Sequence, residues 1–78
     1  MNSSELGKII RFHRKKANLT QGALASMAGV AKTTVYEIES ARLSPTLETL
    51  MKICFVLNLA FDFESPLMAE YRAEVGRS

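Results

Sequence analysis

The sequence predicts an all-α domain of four to five helices, followed by one short β-strand near the C-terminal end. Apolar residues recur at helical spacing over much of residues 1–58, and side chains that typically begin or end helices separate these stretches. Residues 59–64 instead alternate between apolar and polar side chains, which is typical of a strand. The 78 residues are enough for one domain and no more.

Most of the predicted helix ends carry residues with a capping or terminating chemistry. Hydroxyl side chains bind the free amide groups of a first turn, whereas glycine and asparagine accept the left-handed backbone that ends a helix. The candidate caps are Ser3 or Ser4 for the first helix, Thr20 for the second, and Ser44 or Thr46 for the fourth. Asn18 and Gly29 are the candidate terminators. The second, third and fourth helices would cover about residues 21–28, 31–40 and 47–58.

The fourth predicted helix has more apolar surface than one buried face requires. Only three of the side chains from Leu47 to Leu57 are polar, so a second face should meet another surface. The alternating segment after it cannot pair its own backbone groups, because a lone strand has no neighbour. We therefore expect both to meet a second copy of the chain. The predicted dimer interface comprises Met51, Phe55, Leu59, Phe61 and Phe63. For the last three, packing within the monomer is the alternative.

Charge is divided unevenly between the two halves of the chain. Residues 6–36 contain six basic side chains and no acidic one, whereas residues 37–78 contain four basic and seven acidic ones. The formal net charge of +2 hides this division. A basic N-terminal half suggests binding to a polyanion, with assembly or regulation left to the other half. A solvated basic helix face is the alternative.

The composition also limits the chemistry that the chain can carry out. One cysteine, Cys54, and one histidine, His13, allow neither an intrachain disulfide nor a set of metal ligands within one chain. No catalytic set and no phosphate-binding loop is present, so neither an enzyme nor a cofactor is expected. The N-terminus lacks a signal-peptide pattern, and no apolar run approaches the roughly 18 residues of a membrane span. We therefore expect a soluble cytoplasmic protein.

Two helices joined by a short turn are predicted over residues 21–38. Ala25 is small where the two helices must approach closely, and Gly29 can take the positive φ that a sharp turn requires. Lys32, Thr33 and Thr34 begin the second of these helices with side chains that can reach base edges and phosphates. This arrangement is typical of helix-turn-helix DNA binding in the major groove.

Four short stretches of the sequence resemble the Cro and phage-repressor (XRE) helix-turn-helix family. They are residues 19–21, 24–25, 28–30 and 35–39. The resemblance spans about residues 6–57 and implies a lambda-repressor-like DNA-binding domain over residues 4–58. It also implies a homodimer that binds double-stranded operator DNA as a transcriptional repressor, with autoregulation as one form of that role.

The resemblance assigns DNA contacts residue by residue. Reading of bases would fall to Lys32, Thr33, Tyr36 and Glu37. Contacts with phosphate would come from Arg14, Gln21, Thr34, Arg42, Ser44 and Thr46. The exposed N-terminus of the fourth helix would contribute its backbone amides to the same phosphates. Ser40 and Ala41 stand where the family often has glycine, which puts the geometry of the loop around Arg42 in question.

Residues 59–65 are similar to the segment by which HipB-type antitoxins pair one strand from each subunit across a dimer. They are therefore expected to form a dimerisation strand, and residues 66–78 a C-terminal tail or short helix ending at Gly76. This narrower resemblance adds an alternative function, an antitoxin that neutralises a HipA-like kinase toxin as well as binding DNA. A protein-interaction scaffold without DNA binding is a further alternative, and the acid-free basic stretch argues against it.

Overall fold

A computed structural model of the chain describes residues 1–77, which form five α-helices and no β-strand. The helices are α1 (Ser3–Lys16), α2 (Gln21–Ala28), α3 (Lys32–Glu39), α4 (Leu47–Val56) and α5 (Met68–Gly76). The predicted all-α domain is confirmed, and the region after Pro66 contains a short helix. Ser78, the last residue of the predicted tail, lies outside the described residues. Within residues 1–77, no helix is long and apolar enough to cross a membrane.

The beginnings of the helices follow the predicted capping chemistry, with one correction. Thr20 caps α2 and Thr46 caps α4, each accepting a hydrogen bond from a backbone amide in the first turn. At α1, however, neither Ser3 nor Ser4 is the cap. The side chain of Asn2 accepts the amide of Glu5 at 2.8 Å instead, so the helix begins one residue earlier than the serines would place it.

The first four helices all end on a residue with a left-handed backbone. These residues are Asn18, Gly29, Ala41 and Asn58, with φ values of 58°, 71°, 61° and 59°. In each case the amide of the next residue donates back to a carbonyl of the last helical turn. The terminators predicted at Asn18 and Gly29 are confirmed, and this backbone sets the sharp turn from α2 into α3.

A compact apolar core lies among α1, α2, α3 and α4. Its largest fully buried side chains are Ile10, Leu24, Val35, Ile38 and Ile53. The approach of α1 to the end of α3 is closer than any side chain would allow. A Cβ at Gly7 would stand 2.5 Å from the carbonyl oxygen of Ile38 and 2.9 Å from that of Glu39. Glycine at this position therefore allows α1 to lie directly against the carbonyl groups at the end of α3.

The predicted strand over residues 59–65 is wrong for the described chain. Leu59 is the residue after the left-handed Asn58, and its amide donates to the carbonyl of Cys54 at 2.8 Å. Its side chain packs against the core, as an apolar residue at this position of a helix-ending motif commonly does. Phe61 and Phe63 remain 47 and 74% exposed. The alternation of apolar and polar residues thus begins at the end of α4. Residues 1–77 contain no strand with which the residues that follow could pair.

Ala41 is the one helix-ending residue whose side chain disfavours its backbone. A left-handed φ costs an alanine about 1–2 kcal/mol, whereas asparagine and glycine adopt it readily. Ala41→Gly should therefore raise the free energy of unfolding, by about 0.5–1 kcal/mol after the larger chain entropy of glycine is counted. Urea denaturation would measure the change. Ala17→Gly is the matched control, because Ala17 precedes the left-handed Asn18 and has an ordinary right-handed φ of −82°. This variant should not raise the free energy of unfolding. Equal losses in both variants would contradict the prediction.

Candidate DNA-binding surface

Helix α3 is amphipathic, with one face in the core and the other in solvent. Val35 and Ile38 are buried, whereas Lys32 and Thr33 are exposed at its first turn. Tyr36, one turn further on, is 46% exposed. The helix-turn-helix therefore presents the beginning of its second helix outward, which is the part that enters a major groove in this class of motif. Thr34 and Glu37 are only partly exposed at the sides of this face.

The loop after α3 folds back over this exposed face. The left-handed Ala41 reverses the chain, and the amide of Arg42 donates to the carbonyl of Glu37 at 2.8 Å. The Arg42 guanidinium then lies 5.7 Å from the centre of the Tyr36 ring, within the range of a cation–π contact. Ala41 thus adopts the left-handed backbone that glycine readily adopts, and Arg42 lies beside α3.

A buried ion pair joins three helices behind the exposed face. The Nε and Nη2 atoms of Arg14, in α1, donate to the two carboxylate oxygens of Glu39 at 2.6 and 2.9 Å. Gln21, at the start of α2, donates to the same carboxylate at 3.2 Å. The side chains of Arg14 and Glu39 are only 11 and 4% exposed. The hydrogen bond from Glu39 raises the pKa of Arg14, against the opposing effect of burial.

These contacts do not agree with a phosphate-binding role for Arg14. Its Nη1 atom donates to the carbonyl of Leu19 at 2.8 Å, so all three nitrogens of the guanidinium have partners within the protein. Arg14 belongs to the buried stripe of α1 together with Gly7 and Ile10. Helical spacing places Arg14 on that stripe, a position that the phosphate contact implied by the resemblance does not take into account.

Arg11 is the cation of α1 that the sequence interpretation passed over. It lies one turn before Arg14 but outside the buried stripe, and it is exposed. With Gln21, Tyr36 and Ser40 it lines an open notch of about 250 Å³ beside the Arg14–Glu39 pair. The notch joins α1 to the recognition face of α3, so Arg11 is a candidate phosphate contact in place of Arg14. The helical period of α1 was the signal that could have found it.

Several exposed cations have no carboxylate partner in the described part of the chain. The ion pairs of residues 1–77 join Arg14 to Glu39, Lys52 to Glu48, and Arg72 to Asp62 and Glu64. None of these pairs involves the exposed Lys8, Arg11, Lys15, Lys32 or Arg42. Their charge is available to a polyanion.

Comparison with known proteins agrees with this geometry. The HTH_3 family model, described as helix-turn-helix, matches residues 10–63. The chain belongs to this helix-turn-helix family. This is the Cro/C1 (XRE) group that the sequence resembles, so the wider resemblance is confirmed. The family consists of transcriptional regulators and not of enzymes, and membership implies DNA binding. The narrower resemblance to HipB-type antitoxins depended on a strand, and residues 1–77 contain none.

Individual relatives of this helix-turn-helix chain include phage regulators. It is 32% identical to the ImmF control region 10 kDa protein of Bacillus phage phi105 over 76% of its own length. It is also 32% identical to Repressor protein C2 of Salmonella phage P22 over 81% of its length. An uncharacterized HTH-type transcriptional regulator of Methanothermobacter thermautotrophicus is 46% identical over 50% of this chain. The matched segments cover 66, 29 and 56% of these three relatives.

A solved structure shares the helical arrangement. The HTH_3 family transcriptional regulator from Vibrio cholerae superposes with a TM-score of 0.70 and is 33% identical. The superposition covers 74% of this chain and 33% of that one. The lambda-repressor-like fold predicted for this family is therefore present here.

The remaining predicted phosphate contacts of this helix-turn-helix protein lie at the start of α4. Ser44 and Thr46 are both exposed. Each already has a partner within the chain: the Ser44 hydroxyl lies 3.4 Å from that of Ser3, and the Thr46 hydroxyl accepts the amide of Thr49 at 3.2 Å. The structure leaves both hydroxyls at the surface but does not bring them together with the notch beside Arg11.

Four of the five predicted interface residues are exposed, and the fifth packs against the core. Met51 and Phe55 are 52 and 87% exposed on one side of α4, and Met27 of α2, which is 62% exposed, extends their surface. Phe61 and Phe63 are exposed on the segment after α4. Leu59 is different, since it packs against the core of its own chain. For Leu59 the structure therefore favours the monomer-core alternative.

The Arg14–Glu39 pair should carry much of the stability of this helix-turn-helix unit. Glu39→Ala would leave the Arg14 charge buried without its partner, and we expect the free energy of unfolding to fall by about 3 kcal/mol. Urea denaturation is the measurement. Glu48→Ala is the control, because it removes the partner of an exposed pair with Lys52 and should cost less than about 0.5 kcal/mol. Similar losses in the two variants would show that burial adds nothing to the pair.

Proposed function

We propose that this chain is a transcriptional repressor that binds a palindromic DNA operator as a homodimer. The observation that carries the proposal is the outward face of α3, where Lys32, Thr33 and Tyr36 are exposed beside cations that have no carboxylate partner in the described residues. Membership of the helix-turn-helix family and the similarity to a phage repressor support it. Repression of its own gene is one form that this role would take.

Reading of base sequence falls to the first two turns of α3. Lys32 can donate to the acceptor edge of guanine, and the hydroxyl of Thr33 can donate or accept. Tyr36 follows one turn later on the same side and is held under Arg42. Glu37 is half-buried at the margin, where its carboxylate would accept from a cytosine amino group or face solvent. These assignments rest on the direction of α3.

Phosphate contacts surround the recognition helix. Arg11 and Gln21 face the notch beside α3, and Arg42 lies over the ring of Tyr36. Gln21 uses one amide hydrogen on Glu39 and keeps a second one for phosphate. Thr34, Ser44 and Thr46 are secondary candidates, with the amides at the start of α4. In this proposal Arg14 positions the surface and does not touch DNA.

Dimerisation is proposed through the apolar surface that the monomer leaves exposed. Met51 and Phe55 of α4 form its centre, and Phe61 and Phe63 lie on the segment that follows. A two-fold dimer would place two recognition helices about 34–36 Å apart, one turn of the DNA helix. The antitoxin alternative relied on a strand shared between subunits, and residues 1–77 contain no strand to support it. The scaffold alternative leaves the unpaired cations unexplained.

Replacement of Lys32 should change sequence choice, whereas replacement of Arg11 should change affinity alone. Lys32→Ala is expected to weaken binding to the preferred operator about tenfold or more and to leave binding to random duplex nearly unchanged. Arg11→Ala should weaken both alike, since a phosphate contact carries no base information. The measurement is a selection of binding sites from random duplexes, repeated for each variant. An unchanged motif with Lys32→Ala would show that the base-reading residues lie elsewhere.

Salt should weaken DNA binding steeply. If each subunit neutralises three to five phosphates, the dimer releases counterions from about 6–10 of them, and the slope of log affinity against log salt should lie near −5 to −9. Titrations of a fluorescent duplex at several salt concentrations would measure the slope. Arg11→Ala should reduce it by about two units, one per subunit, and Arg77→Ala, on the distant end of α5, serves as the control. A slope near zero would contradict DNA binding through the basic half.

A further inference from the structure

Helix α5 has an apolar stripe that no part of residues 1–77 covers. Leu67, Tyr71 and Val75 follow one another at spacings of one helical turn and remain 68, 58 and 52% exposed. Side chains at this spacing share one face of a helix. A helix of nine residues is marginal in water when it stands alone. Helix α5 therefore needs a surface against which the stripe can pack.

Polar contacts of Arg72 join α5 to the linker before it. The Nη2 atom of Arg72 donates to Asp62 at 3.3 Å and to the carbonyl of Phe63 at 3.2 Å. It also lies 3.9 Å from a carboxylate oxygen of Glu64. These polar contacts are exposed and tie α5 to the extended segment. They leave its apolar stripe free for another surface.

A second uncovered apolar surface lies between α2 and α4. Met27, Met51 and Phe55 line a groove of about 310 Å³ there, and Lys52 contributes to its wall. Phe55 is 87% exposed, the largest exposure of any aromatic side chain described here. Adjacent exposed apolar residues of this size typically mark an interaction surface. The two methionines are flexible enough to adapt to a helix laid across them.

We propose that α5 of one copy docks into the α2–α4 groove of a second copy, and that the second copy does the same in return. This inference rests on the homodimer proposed above and names the contacts that form it. Each copy carries both surfaces, so a two-fold exchange covers the stripe and the groove of both copies. Charge agrees with the docking, since Glu70 flanks the stripe of α5 and Lys52, which also forms an exposed pair with Glu48, lines the groove.

The exposed apolar surface is large enough for a stable dimer. Phe55 of the groove and Tyr71 of the stripe are 87 and 58% exposed, and a fully covered aromatic side chain buries about 150–250 Å² in total. Together with the aliphatic residues of the stripe and the groove, they approach the roughly 800 Å² that each partner buries in a standard interface. Docking of α5 into the groove of its own chain would form no dimer, and a two-fold operator requires one.

The test is a pair of charge substitutions at the two surfaces. Phe55→Glu and Tyr71→Arg each place a charge on one side of the proposed contact, and neither side chain is buried in the monomer. Sedimentation equilibrium of the full chain should show a dimer for the wild type. Each single variant should raise the dissociation constant about tenfold or more. An equimolar mixture of the two variants should recover association, because one contact of the mixed dimer is unaltered and the other joins opposite charges.

Matched controls separate docking from general effects of charge. Phe12→Glu introduces the same change at an exposed phenylalanine of α1, which is 57% exposed and lies outside both surfaces. Ala73→Arg adds the same charge to α5 on the side away from the stripe. Both should remain dimeric. Helical circular dichroism of all variants should match that of the wild type.

Each other outcome would overturn the docking. If Tyr71→Arg dissociates the dimer and Phe55→Glu does not, α5 pairs with α5 of the second copy. If only Phe55→Glu dissociates it, α4 meets α4. Failure of the mixture to recover, or a monomeric wild type, would exclude reciprocal docking as well. Binding of the Phe55→Glu monomer to a single half-site, measured by its salt dependence, tests the DNA-binding proposal separately.

Discussion

The ion pair between Arg14 and Glu39 is the interaction on which the geometry of the DNA-binding surface depends. Glu39 ends α3, Arg14 lies in α1, and Gln21 begins α2, so one carboxylate ties together the three helices that surround the notch. Because this carboxylate is shielded from water, removing one partner is far more damaging than losing a surface pair. The exposed residues of α3 gain a fixed direction from contacts that lie behind them.

Most of the helical architecture could be predicted from local chemistry. Threonine hydroxyls, asparagine and glycine act within a few residues of their own position, so Thr20, Asn18 and Gly29 could be assigned without knowledge of the fold. The prediction failed where a residue serves two patterns. Leu59 matches the apolar phase of a strand, but it is also the apolar residue that closes the end of α4, and only the three-dimensional packing distinguishes the two.

The candidate site shows the same limit in electrostatic terms. A sequence gives the charge of Arg14 but not its partner, and Glu39 lies 25 residues away. Helical periodicity already put Arg14 on the buried stripe of α1, yet a buried arginine is uncommon enough that its charge suggested DNA. Arg11 carries the same charge on the exposed side of that helix. Lys32 and Thr33 are exposed, because the first turn of α3 faces outward when Val35 and Ile38 face the core. Their contact with bases stays a prediction.

The contact at Gly7 has a consequence for how operator preference can evolve. A Cβ at Gly7 would lie 2.5 Å from the carbonyl oxygen of Ile38, so the backbones of α1 and α3 are in direct contact here. This contact and the buried side chains of α3 set the tilt of the helix from its inner side. Residues on the outward face of α3 can therefore be exchanged without shifting the helix. A change of side chains on that face would therefore alter the groups that α3 presents to solvent while its angle to α1 stays the same.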